Sequence, residues 1–151
     1  MLGEKDKFRY AEKCLYEYKR NLSGLRVLRD DLYVAQTMLD VHAQNYQYVL
    51  SFSGEPSSPV HNRLAKIESL EERIRFLERW TSPITQMIED LTAPEVLKYS
   101  DNKPLMDVLR LMYFGKNPPE AIIDELKMTR RTFYRSRAEL VNMTMSYLGL
   151  K

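Results

Sequence analysis

A long apolar seam at helical spacing constrains this chain more than any other feature. Alternating steps of three and four run from Phe8 through Ala11, Leu15, Tyr18, Leu22, Leu25, Arg29, Leu32, Gln36, Leu39, Ala43, Tyr46 and Leu50, and all but Arg29 and Gln36 are apolar. This is the stripe of a long amphipathic helix with a coiled-coil-like seam. A strand would need a period of two, which the segment lacks. Asn21, Ser23 and Gly24 fall inside the pattern. Glycine within a helix costs about 1 kcal/mol against alanine, so a kink or break is expected near there.

The segment SFSGEPSS, from Ser51 to Ser58, reads as a loop. Ser58 before Pro59 has the form of an N-cap followed by proline in the first helical turn. A second seam follows through Val60, Arg63, Ile67, Leu70, Ile74, Leu77, Thr81, Ile84, Ile88 and Leu91, with Glu68, Glu71, Glu72, Arg73, Arg75, Glu78 and Arg79 on the outer face. Pro83 predicts a kink, or a restart capped by Ser82. Two seamed helices joined by a short loop form an antiparallel hairpin. Such a hairpin has a thin core, so self-association is expected, a dimer first. Thr92-Ala93-Pro94-Glu95 has capping-box form and predicts a short helix to Tyr99. The breaker cluster Ser100 to Pro104 sets the domain boundary, giving residues 1–99 for oligomerisation or partner binding and 100–151 for a second domain.

In that second domain Leu105, Val108, Leu109 and Met112 share a helical face, and Gly115 to Pro119 is a turn. Ile122, Ile123 and Leu126 mark a helix from Pro119 to Leu126. Lys127 and Met128 make a tight connection, with Met128 as the apolar plug. Thr129 caps the next helix, whose inward residues are Phe133, Ser136, Leu140, Thr144 and Tyr147. A short helix, a three-residue turn and a capped helix spell a helix-turn-helix. The fold class expected is all-α: an N-terminal helical hairpin followed by this domain.

Such a turn projects the start of its second helix outward. There the chain carries Lys127, Thr129, Arg130, Arg131, Thr132, Tyr134, Arg135 and Arg137, with no acidic residue between Lys127 and Arg137. Arginine pairs bidentately with guanine, and hydroxyls and cations suit phosphate. These eight residues are the candidate DNA-binding set, with double-stranded DNA as the partner. The net charge of +2 is too small to argue this by itself. Ile123 stands where many such motifs have a small residue, and Lys127 where they have glycine.

The stretch LRLMYFGKNPPEAIIDELKMTRRTFYRSRAEL resembles the sigma-factor region-4-like domain of phage and prophage late-gene transcriptional regulators of the ArpU and RinA type. The residues that carry the resemblance are Leu111 and Tyr113 before Gly115, then Ile122, Leu126, Thr129, Phe133-Tyr134-Arg135 and Leu140. The two long helices in front match in pattern. The resemblance implies a sequence-specific DNA-binding transcription regulator, with Thr129, Arg130, Arg131, Thr132 and Arg135 toward DNA and RNA polymerase as a second partner. Two alternatives share these features: a small-terminase-like DNA-packaging protein, and a helical module that binds polymerase without touching DNA.

Other chemistries find little footing. His42 and His61 lack ligands at metal spacing. No phosphate-cradling glycine loop or nucleophile set is present, so neither an enzyme nor a cofactor is expected. Cys14 is the single cysteine, which excludes an intramolecular disulfide and reads as a structural thiol. No apolar run is long enough for a membrane span, and no signal-peptide core is visible. The expected location is the cytoplasm, that of a bacterial host if a phage encodes the chain. Tyr10, Tyr16, Tyr18, Tyr33, Tyr46 and Tyr48 crowd the first helix, for packing or for a partner. Trp80, beside Pro83, is expected to be a core plug.

Overall fold

The computed structural model describes the backbone of residues 2–53, 58–95 and 102–150, and the side chains of 2–41, 60–95 and 102–150. The chain is all-α. Helix α1 spans Glu4–Ser53 and α2 spans Ser58–Thr92, and together they form the expected hairpin. Helix α3, Lys103–Val108, runs directly into a π-helical stretch, Leu109–Phe114. Helices α4, Pro119–Leu126, and α5, Arg130–Tyr147, complete the helix-turn-helix. Among the described residues no helix is long and apolar enough to cross a membrane.

Neither Gly24 nor Pro83 breaks its helix. Helix α1 is continuous through Gly24 and reaches Ser53, beyond the predicted loop start at Ser51. A Cβ on Gly24 would sit 3.5 Å from Leu77 Cδ1, an ordinary packing distance. Contact with α2 therefore supports the helix where local propensity is weakest. Helix α2 passes through Pro83 without restarting at Ser82. Pro94 and Glu95 are helical, whereas the rest of the predicted helix to Tyr99, the residues Ser100 and Asp101, and the loop centre at 54–57 lie outside the described residues.

The contacts divide the chain into two compact units: residues 1–21 with 79–151, and residues 22–78. The boundary read at Ser100 does not coincide with this division. The breakers there interrupt the helix, but packing groups the start of α1 and the end of α2 with the C-terminal helices.

The unit of residues 22–78 is a two-helix core. Leu25, Leu28 and Ala35 pack with Ile67, Leu70 and Ile74, flanked by Leu32, Leu39 and Leu77. The seam on α1 thus runs through Leu28 and Ala35. Arg29, which the sequence reading put on the seam, is exposed and bonds Glu78 at 2.8 Å, and Gln36 is exposed too. On α2 the seam is as expected for Ile67, Leu70 and Ile74.

In the other unit, Ala11, Cys14, Leu15 and Tyr18 of α1 are buried, as are Thr81, Ile84, Met87 and Leu91 of α2. Tyr18 OH and Thr85 Oγ1 are 2.6 Å apart, and the Tyr10 ring meets Trp80 edge-on at 5.4 Å. Leu105, Val108, Leu109 and Met112 are buried as their shared face predicted. Leu111 and Tyr113 are buried as well, because the wider π turn directs more consecutive residues inward. That stretch ends with Gly115 N–H donating to Arg110 O at 2.8 Å and Asn117 Nδ2 donating to Leu111 O at 2.9 Å. A Cβ on Gly115 would lie 2.9 Å from Leu111 O, so this turn requires glycine.

Candidate nucleic-acid interface

Helix α4 begins with Pro118 in extended conformation and Pro119 in the first turn, where a missing N–H costs nothing. Ile122 is fully buried and anchors it, while Ile123 and Leu126 are half-buried. Its end is a Schellman motif: Met128 N–H donates to Ile123 O at 3.2 Å and Lys127 N–H to Asp124 O at 3.3 Å. The motif needs a left-handed residue, and Lys127 takes it with φ 51° and ψ 40°. Lysine here adopts the conformation that glycine usually supplies. Met128, the expected plug, is half-buried.

Thr129 then caps α5. Its Oγ1 accepts from Thr132 N–H at 3.1 Å and lies 2.8 Å from Thr132 Oγ1. This satisfies one of the unpaired donors of the first turn and fixes where the helix starts. Four residues on, Phe133 is fully buried, and Ser136, Leu140 and Thr144 continue its inward face. Tyr147 is half-buried and its hydroxyl donates to Asp90 Oδ2 at 2.6 Å. Val141 and Met145 are also buried, which the sequence reading missed.

Phe133 decides what the first turns expose. With Phe133 inward, Arg130, Arg131, Tyr134 and Arg135 face solvent, beside Thr129 and Lys127. Thr132 is half-buried. The Tyr134 ring packs edge-on against Phe133 at 5.0 Å and leaves its outer part exposed. Arg130 Nη2 meets Glu120 Oε1 of α4 at 2.8 Å, with both side chains about two-thirds exposed. Exposed pairs of this kind contribute about 0–1 kcal/mol, so a stronger anion can displace Glu120.

Arg137 is placed differently. It stands two turns beyond Arg130 on nearly the same stripe, but there the stripe meets α1. Arg137 Nε and Nη2 each lie 2.8 Å from Glu12 Oε1, and the guanidinium rests 5.8 Å from the centre of the Phe8 ring. Tyr113 OH donates to the same Glu12 oxygen at 2.8 Å. Burial opposes the Arg137 charge, but the bond and charge of Glu12, with the Tyr113 hydroxyl, hold its pKa above the usual value. Burial and the Glu12 bond push Tyr113 well above the ordinary tyrosine range. Tyr16 closes the cluster edge-on against Tyr113 at 4.7 Å. Arg137 therefore fastens α5 to α1 rather than joining the outward group. Sequence spacing could not reveal this, because Glu12 and Arg137 are distant in the chain.

Among the described residues, no group of three or more His, Cys, Asp or Glu could hold a metal ion. No protein-family model matches the chain, and neither a curated protein nor a solved structure does.

Proposed function

We propose that this chain is a DNA-binding transcription regulator that inserts the first two turns of α5 into the major groove. One observation carries the reading. On a helix start that is capped by Thr129 and backed by buried Phe133, the outward residues are Arg130, Arg131, Tyr134 and Arg135. No carboxylate occurs on α5 before Glu139. Arginines at such a position reach guanine edges or phosphates, and the hydroxyls of Thr129 and Tyr134 suit phosphate. Lys127, at the turn, adds a cation. Glu120 holds Arg130 in free protein and yields it to DNA. Arg137 keeps a structural part. The resemblance to phage late-gene regulators agrees with this reading, and RNA polymerase is then the natural second partner, in a bacterial cytoplasm.

The test is a gel-shift titration on promoter DNA across a salt series. Each arginine bound to a phosphate steepens the dependence of log K on log salt by about 0.9. Changing Arg130, Arg131 and Arg135 together to Ala should weaken binding and flatten that slope. Unchanged affinity and slope in a folded variant would sink the proposal.

A further inference from the structure

Helix α1 carries a second apolar stripe that α2 does not cover. Val27, Val34 and Val41 recur at heptad spacing and are 58%, 58% and 47% exposed, with Met38 beside them at 40%. The residues that α1 turns to α2 are Leu25, Leu28, Leu32, Ala35 and Leu39. At about 100° per residue, the valine stripe lies close to the opposite side of the helix. Valine is a poor choice for a solvated helix face, since its branched side chain lowers helix propensity without burying surface. β-branched residues at heptad spacing suit a helix–helix seam.

We infer that this stripe pairs with the same stripe of a second copy, antiparallel and centred on Val34. Two features of the stripe select this occupant. The first is its symmetry. Reversing the helix about Val34 lays Val27 on Val41 of the second copy, so an isologous two-fold contact forms without register mismatch. The second is charge. Arg26, Tyr33 and Asp40 lie along one edge of the stripe, all exposed. Reversal brings Arg26 against Asp40 of the second copy, twice over by symmetry, and sets the two Tyr33 rings near each other at the rim. A parallel, in-register pair would instead set Asp30, at the edge of the stripe, against its own copy, and like charges at a seam repel. In the antiparallel pair the two Asp30 residues are about 12 Å apart along the axis at the α-helical rise. The stripe covers about 21 Å of helix, so its interface is at the small end for a specific contact and the dimer is expected to dissociate on dilution.

This inference concerns residues 22–78 and stands apart from the DNA reading, and its test needs no DNA. Sedimentation equilibrium on the full chain should give twice the chain mass at about 100 µM, a concentration that populates even a modest complex. Val34→Asp should give the single mass, with the helical circular-dichroism signal and cooperative melt of the parent. Arg26→Asp should weaken the dimer, and adding Asp40→Arg should restore it. Direction is read with a short bismaleimide. Val34→Cys should crosslink to its copy, whereas Val27→Cys and the parent, with only Cys14, should not. A parent that stays monomeric, or a Val34→Asp variant that keeps the double mass, overturns the interface. Crosslinking of Val27→Cys as efficient as that of Val34→Cys overturns the antiparallel direction.

Discussion

Cys14 and Glu12 lie two residues apart on α1, on different faces, and show how burial assigns different work to neighbouring residues. Cys14 is buried, and burial, with some help from the Glu17 charge, pushes its thiol from 9.0 up to about 11. A folded pKa above the unfolded one means that the neutral thiol is the stabilised form. Its contribution is whole below pH 9 and is lost as the pH rises toward 11. At pH 8 the native protein should resist a thiol reagent that reacts promptly in denaturant. The melting temperature should fall between pH 9 and 11 by more in the parent than in Cys14→Ala. Prompt native-state labelling would contradict this. Glu12 presents one oxygen to Arg137 and Tyr113 in a half-buried setting. Removing it leaves a guanidinium and a hydroxyl without their acceptor, so Glu12→Ala should cost about 2 kcal/mol, more than Glu12→Gln, which keeps an acceptor. The midpoint of urea unfolding measures both. The sequence could mark Arg137 as basic and on the helix capped by Thr129. It could not show that a carboxylate from the start of the chain holds it.

At the scale of elements, legibility depended on whether the local signal had a single solution. Helix α4 and the Thr129 cap were readable, because proline, the apolar triplet and threonine each fix a position that packing does not shift. The α1 seam was ambiguous. From Leu25 one can step by four to Arg29 and then by three to Leu32, or by three to Leu28 and then by four to the same Leu32. Both routes satisfy the heptad, and only the facing residues of α2 choose Leu28 and Ala35. Gly24 and Pro83 leave their helices unbroken for a related reason: their costs are local, while the packing that supports the helices is tertiary. The π stretch leaves no local mark, since its hydrogen-bond shift changes which residues turn inward without a special residue inside it. The turn between α4 and α5 makes a sharp prediction. Lys127 occupies a left-handed position at a cost of about 1 kcal/mol relative to glycine. Lys127→Gly should therefore raise the melting temperature. If Lys127 contacts phosphate as proposed, the same variant should bind DNA more weakly and with a shallower salt slope. Stability and affinity would then move in opposite directions, an outcome that a purely structural lysine would not produce.

For the whole molecule, the consequence lies in where the compact units divide. The breakers around Ser100 suggested that residues 100–151 form a domain. The packing argues otherwise. Tyr113 and Arg137 both end on Glu12, Thr144 Oγ1 lies 3.4 Å from Met87 Sδ, and Tyr147 reaches Asp90. Each of these ties a C-terminal helix to α1 or α2 within the unit of residues 1–21 and 79–151. A fragment of 100–151 would uncover Tyr113, which Glu12 and Tyr16 contact in the full chain, and Thr144, which lies against Met87. Burying one large apolar side chain contributes about 1.5–3 kcal/mol, while a whole domain retains only about 5–15 kcal/mol. The fragment should therefore show no cooperative thermal transition and no near-ultraviolet tyrosine signal, and, if α5 binds DNA as proposed, the fragment should bind it weakly even though it carries every arginine of α5. Replacing residues 22–78 by a flexible linker should keep a cooperative melt, because the buried face of the C-terminal helices stays covered. A fragment of 100–151 that melts cooperatively would show that α5 needs no support from the hairpin, and the division into units would then have no energetic meaning.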